Sequence, residues 1–217
     1  MASRRAARKP QGRYHHGELR RALIEKAASV VEREGVAALS LRDLARRLGV
    51  SHAAPAHHFP DKAALLFEIA RDGFDRFAAA MEAARAQGTN PLDRLRCVGE
   101  AYVHFAIAHP GRFRVMFGRE ISDLRSIPPE LDEAGQRSFG VLVGVVEAVL
   151  ARWPARRRPP AEAVAFSCWS SVHGAAMLWI DGPLRRKSPP GEARAAFEHD
   201  LAFMMKLLGA ALMPPSE

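Results

Sequence analysis

The amino-acid sequence predicts an all-α protein with an N-terminal three-helix head and a larger helical C-terminal body. Of its 217 residues, 48% are hydrophobic and 26% are charged, an ordinary globular balance that supports a sizeable core. Helix-forming Ala, Leu, Arg and Glu dominate the composition. Val and Ile rarely alternate with polar residues, as a half-buried strand would require. The secondary structure is therefore expected to be helical throughout.

Charge is concentrated at the N-terminal end of the chain. Residues 1–60 contain 12 Lys/Arg against 5 Asp/Glu, whereas residues 61–217 contain 20 against 19. Five of the nine histidines also lie in the first 60 residues. A basic tail that aids solubility is one interpretation, but the clustering favours a polyanion-binding head on a neutral body.

The first helix of the head is expected from Glu18 to about Glu34, because apolar residues recur there at helical spacing and Gly35 follows. Residues 1–16 are polar, basic and aperiodic, which predicts a flexible arm. The cationic side chains of this arm are Arg4, Arg5, Arg8, Lys9 and Arg13.

A helix, a glycine turn and a second, short helix follow. Ser40 is a candidate N-cap for a helix over 41–48, and Gly49 can adopt the left-handed conformation that ends it. The next helix, about 51–57, has almost no apolar stripe and contains Pro55. In a helix-turn-helix pair the second helix lies in the DNA major groove, so it needs little to bury. A plain helical hairpin is the alternative, since glycine turns also produce one.

The segment "IEKAASVVEREGVAALSLRDLARRLGVSHAAPAHHFPDKAALL" resembles the DNA-binding head of the TetR family of transcriptional regulators. The resemblance covers residues 18 to about 75 and includes Leu-Ala-x-x-x-Gly-Val-Ser, His-Phe and Asp-Lys before the next helix. Further on, "FRVMF" and "CWSSVHGAAMLWIDG" resemble the C-terminal domain of a branch marked by Trp-x-x-x-His-Gly. In this sequence those residues are Trp169, His173 and Gly174.

The resemblance implies a homodimer that binds a palindromic double-stranded DNA operator, with a C-terminal body that binds a small effector. Family members commonly carry Tyr at the position of Ala56, so a ring contact with the DNA backbone is absent here and affinity leans more on the basic arm. The expected DNA-binding residues are Arg13, Ser40, Arg42, Ser51, His52, Ala53, Ala56, His57, His58 and Lys62.

The body is expected to begin near residue 78, after a long helix that Asp61 caps and that joins head to body. The predicted domains are an arm at 1–16, the DNA-binding head at 17–77 and the body at 78–217. Body helices are expected at about 91–108, 110–118, 129–152, 160–180 and 191–212, separated by proline-rich segments.

The helix at about 160–180 is apolar nearly all round, which indicates burial on several sides. One side is expected to meet a partner subunit, together with the helix at 191–212 and its apolar residues Phe197, Leu201, Met204, Met205 and Leu208. Another side is expected to line a cavity for a neutral or weakly polar effector. The expected ligand-binding residues, which could also be plain core, are Tyr102, Phe105, Phe113, Phe117, Trp169, His173 and Met177. His173 either orients the ligand or forms a structural bond between helices.

Other classes of function find little support in the sequence. Adjacent histidines on a helix point about 100° apart, so the pairs at 15–16 and 57–58 do not converge on a metal ion, and no metal or cofactor is expected. No catalytic constellation appears, which argues against an enzyme with an incidental helix-turn-helix. An apolar signal region is absent and the longest apolar stretch is interrupted by serines, so a cytoplasmic protein without a membrane span is expected. A ligand-responsive repressor is the favoured function; the alternative is a sequence-independent architectural DNA binder.

Overall fold

The computed structural model describes residues 16–122, 127–189 and 191–214, and this part of the chain contains nine α-helices and no β-strand. The all-α prediction is confirmed. The helices are α1 (His16–Glu34), α2 (Leu41–Leu48), α3 (Lys62–Arg85), α4 (Pro91–Ala108), α5 (Pro110–Phe117), α6 (Arg119–Ser122), α7 (Pro129–Leu150), α8 (Ala161–Ile180) and α9 (Ala193–Ala211). Short 3-10 helices lie at Val36–Ala38, Pro55–His57 and Ala155–Arg157.

The helix boundaries in the head follow from local chemistry. Gly35 adopts a φ of 82° directly after α1, a conformation that favours glycine. Asp61 caps α3, because its carboxylate accepts a hydrogen bond of 2.8 Å from the Ala64 N–H. Leu23, Leu44 and Phe59, each at most 1% exposed, fill the core between these helices.

The long helix α3 connects the head to the body, as the sequence predicts. Its 24 residues span about 36 Å. It packs against α1 in the head and against α4, α5 and α7 in the body. Because one continuous helix belongs to both parts, a displacement in the body can reach the head through it.

The body has an aromatic centre. The ring of Phe77 on α3 lies 4.7 Å from that of Tyr102, 5.1 Å from that of Phe105 and 6.3 Å from that of Phe113. Edge-to-face and tilted pairs at such distances add to the stabilisation from burial alone. The aromatic part of the body's core therefore lies where α3, α4 and α5 meet, and buried residues of α7, α8 and α9 extend the core beyond it.

The second helix of the predicted pair is not an α-helix. The N–H of Ala54 bonds to the Ser51 carbonyl and the N–H of Ala56 bonds to the Ala53 carbonyl, which are three-residue spacings. Pro55 has no N–H to donate to Ser51, so an α-helical bond cannot form at that position. The chain makes a turn and then the 3-10 helix Pro55–His57.

The face of α9 that was expected to meet a partner is also different. Phe197, Leu201 and Met205 are at most 4% exposed, so they pack within the single chain. The apolar side chains that α9 exposes are Phe203 and Leu207, at 58% and 55%. An apolar spacing alone could not tell which of two faces turns inward.

Within the described residues, one helix, α8, has the length and hydropathy of a membrane span. It packs against α4 and α7 and buries Cys168, Val172 and Ala176 among others, as a core helix does. Its outer side exposes Phe166 and Leu178, at 59% and 48%.

Candidate DNA interface and effector cavity

The turn at Gly49 sets the direction of the chain after α2. Gly49 adopts the left-handed conformation (φ 67°, ψ 27°), and its N–H bonds to the Arg46 carbonyl at 3.2 Å. The N–H of Val50 bonds back to the Ala45 carbonyl at 3.0 Å, which completes a glycine-terminated helix end. Ala45 is fully buried, as a small residue at a helix crossing should be.

Most of the segment after this turn is exposed. Ser51, His52, Ala53, Ala56 and His57 are all exposed. They are the residues expected to reach base edges and the DNA backbone. The turn at 52–54 and the 3-10 helix Pro55–His57 together form one short projection.

Two apolar side chains anchor that projection. Pro55 is buried and Phe59 is 1% exposed, and the Arg20 guanidinium lies 5.4 Å from the centre of the Phe59 ring. In the sequence, Pro55 was noted only as a residue that disfavours a helix, not as an anchor. Residues 51–57 contain no other large apolar side chain, and this could have identified Pro55 as an anchor.

The remaining residues expected at the DNA interface fall into different environments. Ser40 and Arg42 are exposed, and Arg42 forms no ion pair with any residue that the structure describes. Lys62 donates a hydrogen bond of 2.6 Å to the Val36 carbonyl, so its ammonium is held against the 3-10 helix at 36–38. His58 is half-buried beside Phe59. Arg13 and the rest of the arm lie outside the described residues.

Two arginines of α2 fix the head internally. Arg47 binds both carboxylate oxygens of Glu34, at 2.7 and 2.9 Å, and also contacts Asp43. Arg46 binds the same Asp43 carboxylate. These hydrogen bonds lower the pKa of Asp43, and the bond from Arg47 lowers the pKa of Glu34.

An ionic cluster around the buried Arg112 joins the head to the body, and no pattern in the sequence indicated it. Arg112 on α5 is only 6% exposed. Its guanidinium pairs with the carboxylate of Asp72 on α3 and lies 3.6 Å from the carboxylate of Glu25 on α1. The backbone N–H of Arg112 donates a hydrogen bond of 3.0 Å to the Glu32 carboxylate. A Cβ on Gly111 would lie 2.5 Å from the Glu32 backbone, so α5 approaches α1 more closely than any other residue would allow.

A cavity of about 380 Å³, which we call the inner chamber, lies in the body between α3, α4, α5, α7 and α8. Its size is in the range of small-molecule sites. None of the described residues that line it is charged. The lining residues are Phe74, Phe77, Met81, Tyr102, Phe117, Gly135, Ser138, Phe139, Leu142, Phe166 and Trp169.

The polar atoms at the inner chamber are bonded to one another. The Trp169 indole N–H donates to the Tyr102 hydroxyl at 2.9 Å, and that hydroxyl lies 2.8 Å from Nδ1 of His173. Burial raises the pKa of Tyr102 and lowers the pKa of His173. The hydroxyl of Ser138 donates to the Gly135 carbonyl at 2.8 Å.

Of the residues expected to bind a ligand, Tyr102, Phe117 and Trp169 line the inner chamber, whereas the other four do not. Phe105 and Phe113 are core residues, His173 lies behind Tyr102 and Trp169, and Met177 is partly buried further along α8. Sequence reasoning missed the walls supplied by α3 and α7, because their apolar residues looked like ordinary core.

A second cavity of about 410 Å³, the outer chamber, adjoins the first. The two share Phe74, Phe117, Gly135 and Phe139. The other residues around the outer chamber are Met116, Gly118, Ile121, Ile127, Leu131, Asp132 and Gln136.

Two family descriptions match the chain. Residues 23–69 match "Bacterial regulatory proteins, tetR family", and residues 95–204, just over half of the chain, match "Tetracyclin repressor-like, C-terminal domain". The chain belongs to the TetR family. Its members are DNA-binding transcriptional regulators and generally not enzymes. Neither description names a Trp-x-x-x-His-Gly branch, so that detail stays a prediction.

Solved structures resemble this TetR family chain over most of its length. A protein with unknown function from Rhodococcus sp. RHA1 is 33% identical, covers 93% of this chain and 97% of its own, and has a TM-score of 0.75. SCO4313, a candidate regulatory protein, is 25% identical over 91% of this chain and 100% of its own, with a TM-score of 0.68.

The TetR family regulator PfmR from Thermus thermophilus shares the fold, with 22% identity, 85% and 97% coverage and a TM-score of 0.62. Among curated proteins, no sequence matches the chain. In this TetR family member the glycine turn and its exposed projection lie within the first matched region. The inner chamber draws most of its walls from the second matched region and the rest from α3.

Proposed function

We propose that the protein is a homodimeric, cytoplasmic repressor that leaves its operator when a small apolar molecule fills the inner chamber. The proposal rests on one observation: two helices, α3 and α5, belong both to the wall of the inner chamber and to the contacts with the head. Phe74 and Phe77 of α3 and Phe117 of α5 line the chamber, and both helices also contact the head. A ligand there acts directly on elements that hold the DNA-binding surface.

The DNA-binding role rests on the projection at 51–57 and on the excess of Lys and Arg over residues 1–60, five of which lie in the arm. Each head, proposed as residues 17–77, inserts this projection into a major groove. Ser40, Arg42 and Lys62 bind phosphates, and the arm at 1–16 adds further cationic contacts. The body is proposed as residues 78–217.

Dimerisation through α8 and α9 follows from what these helices expose. Phe166, Leu178, Phe203 and Leu207 are each about half exposed in the single chain, between 48% and 59%. The serines on α8 do not make this face polar, because their hydroxyls bond to carbonyls four residues earlier. These bonds run from Ser167, Ser170 and Ser171 to Ala163, Phe166 and Ser167. Such a face is suited to a two-fold interface with a second copy.

Arg112 couples ligand binding in the inner chamber to the position of the head. The chamber wall at Phe117 and the ionic contacts of Arg112 with Asp72 and Glu25 belong to the same short helix, α5. A ligand that displaces α5 changes how α1 sits on α3. The population then shifts toward a dimer whose two heads no longer match successive major grooves.

Selection of duplexes from a random pool by the purified protein tests the DNA-binding role. A two-fold symmetric consensus is expected, bound at least about a thousandfold more tightly than a scrambled duplex at the same salt concentration. A ratio near one would contradict the proposal and favour an architectural DNA binder. Deletion of residues 2–13 is expected to flatten the dependence of affinity on salt, because it removes five cationic side chains.

A further inference from the structure

Gly135 occupies an unusual position for a glycine. It lies inside α7, where glycine costs about 1 kcal/mol relative to alanine. A Cβ at this position would meet no atom within 4 Å, so no close helix approach requires its absence. Gly135 instead borders both chambers. Its missing side chain leaves open the boundary that the two cavities share.

The polar groups around the two chambers are distributed unequally. At the inner chamber the Trp169 N–H and the Tyr102 and Ser138 hydroxyl protons are all engaged within the protein. At the outer chamber the polar side chains are Asp132 and Gln136, both exposed, with Gln136 donating to one Asp132 oxygen at 2.7 Å. The second Asp132 oxygen has no hydrogen bond to a described residue and can accept one.

We infer that the effector is an elongated molecule with an uncharged, apolar body, and that it occupies both chambers. Its apolar body fills the inner chamber and passes Gly135, and its one polar end donates a hydrogen bond to Asp132 in the outer chamber. An alkyl chain or a narrow fused-ring system that ends in a hydroxyl group has this chemistry. The inference rests on the proposed effector site and specifies its ligand.

The length of the ligand is the property that the structure makes testable. Each buried methylene contributes about 0.8 kcal/mol, which is about a fourfold gain in affinity. A chain confined to one chamber stops gaining affinity when that chamber is full. A chain that passes Gly135 continues to gain affinity until the second chamber is full.

The experiment measures displacement of the neutral fluorophore N-phenyl-1-naphthylamine by primary n-alkanols of increasing length, without DNA. We expect affinity to rise about fourfold per methylene up to a long chain in the wild-type protein. Gly135→Leu is expected to stop the rise at a shorter chain. Gly140→Leu is the matched control, because Gly140 is a second glycine of α7 that lines neither chamber and whose Cβ would also meet no atom.

Ile127→Asp is a second test variant. Ile127 precedes α7, so this substitution does not alter the helix that contains Gly135. Ile127 is 43% exposed and lines only the outer chamber, so the substitution should not affect folding. It is expected to weaken binding of long alkanols at least tenfold and to leave short ones unchanged. Equal length dependence in the wild type and both variants would overturn the two-chamber inference alone. Failure of the fluorophore and of every alkanol to bind the wild type would overturn the proposed effector site as well.

Discussion

Tyr102 and His173 join α4 to α8 through a hydrogen bond of 2.8 Å between the phenol oxygen and Nδ1. The indole N–H of Trp169 can only donate, and it donates to the same oxygen. The hydroxyl proton of Tyr102 therefore goes to His173, which leaves the imidazole proton on Nε2. His173 thus orients the wall of the inner chamber from behind and does not itself line it.

Tyr102→Phe is expected to destabilise the protein by about 1–3 kcal/mol, because it leaves the buried Trp169 N–H and the His173 ring nitrogen without their partner. Urea unfolding followed by circular dichroism measures the change. His173→Ala should also lower stability, and the double variant should lose less than the two single losses added together. Additive losses would show that the two side chains do not form one network.

The stability of the protein should also depend on His173 at mildly acidic pH. Burial lowers the pKa of His173 below its ordinary value of 6.5, so the unfolded chain binds the proton more readily than the folded one. This contribution is fully present above pH 6.5 and is lost as the pH falls toward the lowered value. Unfolding titrations between pH 7 and pH 5 should therefore show a shallower loss in His173→Gln than in the wild type. The same slope in both proteins would contradict this assignment.

The sequence predicted those structural features that depend on residues close together in the chain. The bounds of α2, the left-handed Gly49, the cap at Asp61 and the breaks between body helices depend on neighbouring residues, and these predictions are confirmed. Ser40 stands at the N-cap position of α2, but its side chain forms no capping hydrogen bond. The 3-10 helix at Pro55 was missed, although the missing N–H was visible in the sequence.

Features that need contacts distant in sequence were not predictable. Arg112 meets Asp72 and Glu25 only because α5 crosses α1 and α3, and no periodicity reports that crossing. The chamber walls from α3 and α7 have the same composition as core. The choice between the two apolar faces of α9 likewise depends on packing rather than on spacing.

Arg112→Met is expected to cost about 1–3 kcal/mol of folding stability, because Asp72 loses its buried partner and keeps only the half-exposed Arg76, at 2.9 Å. Arg137→Met is the matched control. Arg137 on α7 pairs at 2.8 Å with Asp75, which lies on α3 as Asp72 does, but the Arg137 side chain is 54% exposed. The control should change stability by less than about 1 kcal/mol. Denaturant midpoints at equal slopes give both values. Equal losses in the two variants would argue against a special contribution from the burial of Arg112.

Phe203→Glu should convert the proposed dimer to a monomer, because it places a charge on the exposed apolar face of α9. Light scattering at micromolar concentration measures the mass. Ile127→Glu replaces another exposed apolar residue, 43% exposed and outside α8 and α9, with the same charge and should remain dimeric. A monomeric wild-type protein would contradict the proposed interface outright.

Gly49→Val is expected to abolish specific DNA binding. The left-handed conformation at Gly49 costs a residue with a Cβ about 1–2 kcal/mol, and a β-branched side chain fits it least well. The strain is relieved if the turn opens, which moves the exposed projection at 51–57 away from the position that α2 gives it. Fluorescence anisotropy with the selected duplex measures affinity, and circular dichroism checks that the helices remain. Gly140→Val makes the same change inside a helix without a left-handed conformation, and its DNA affinity should be unchanged. If Gly49→Val folds and binds the duplex as tightly as this control, the turn does not position the DNA-binding surface.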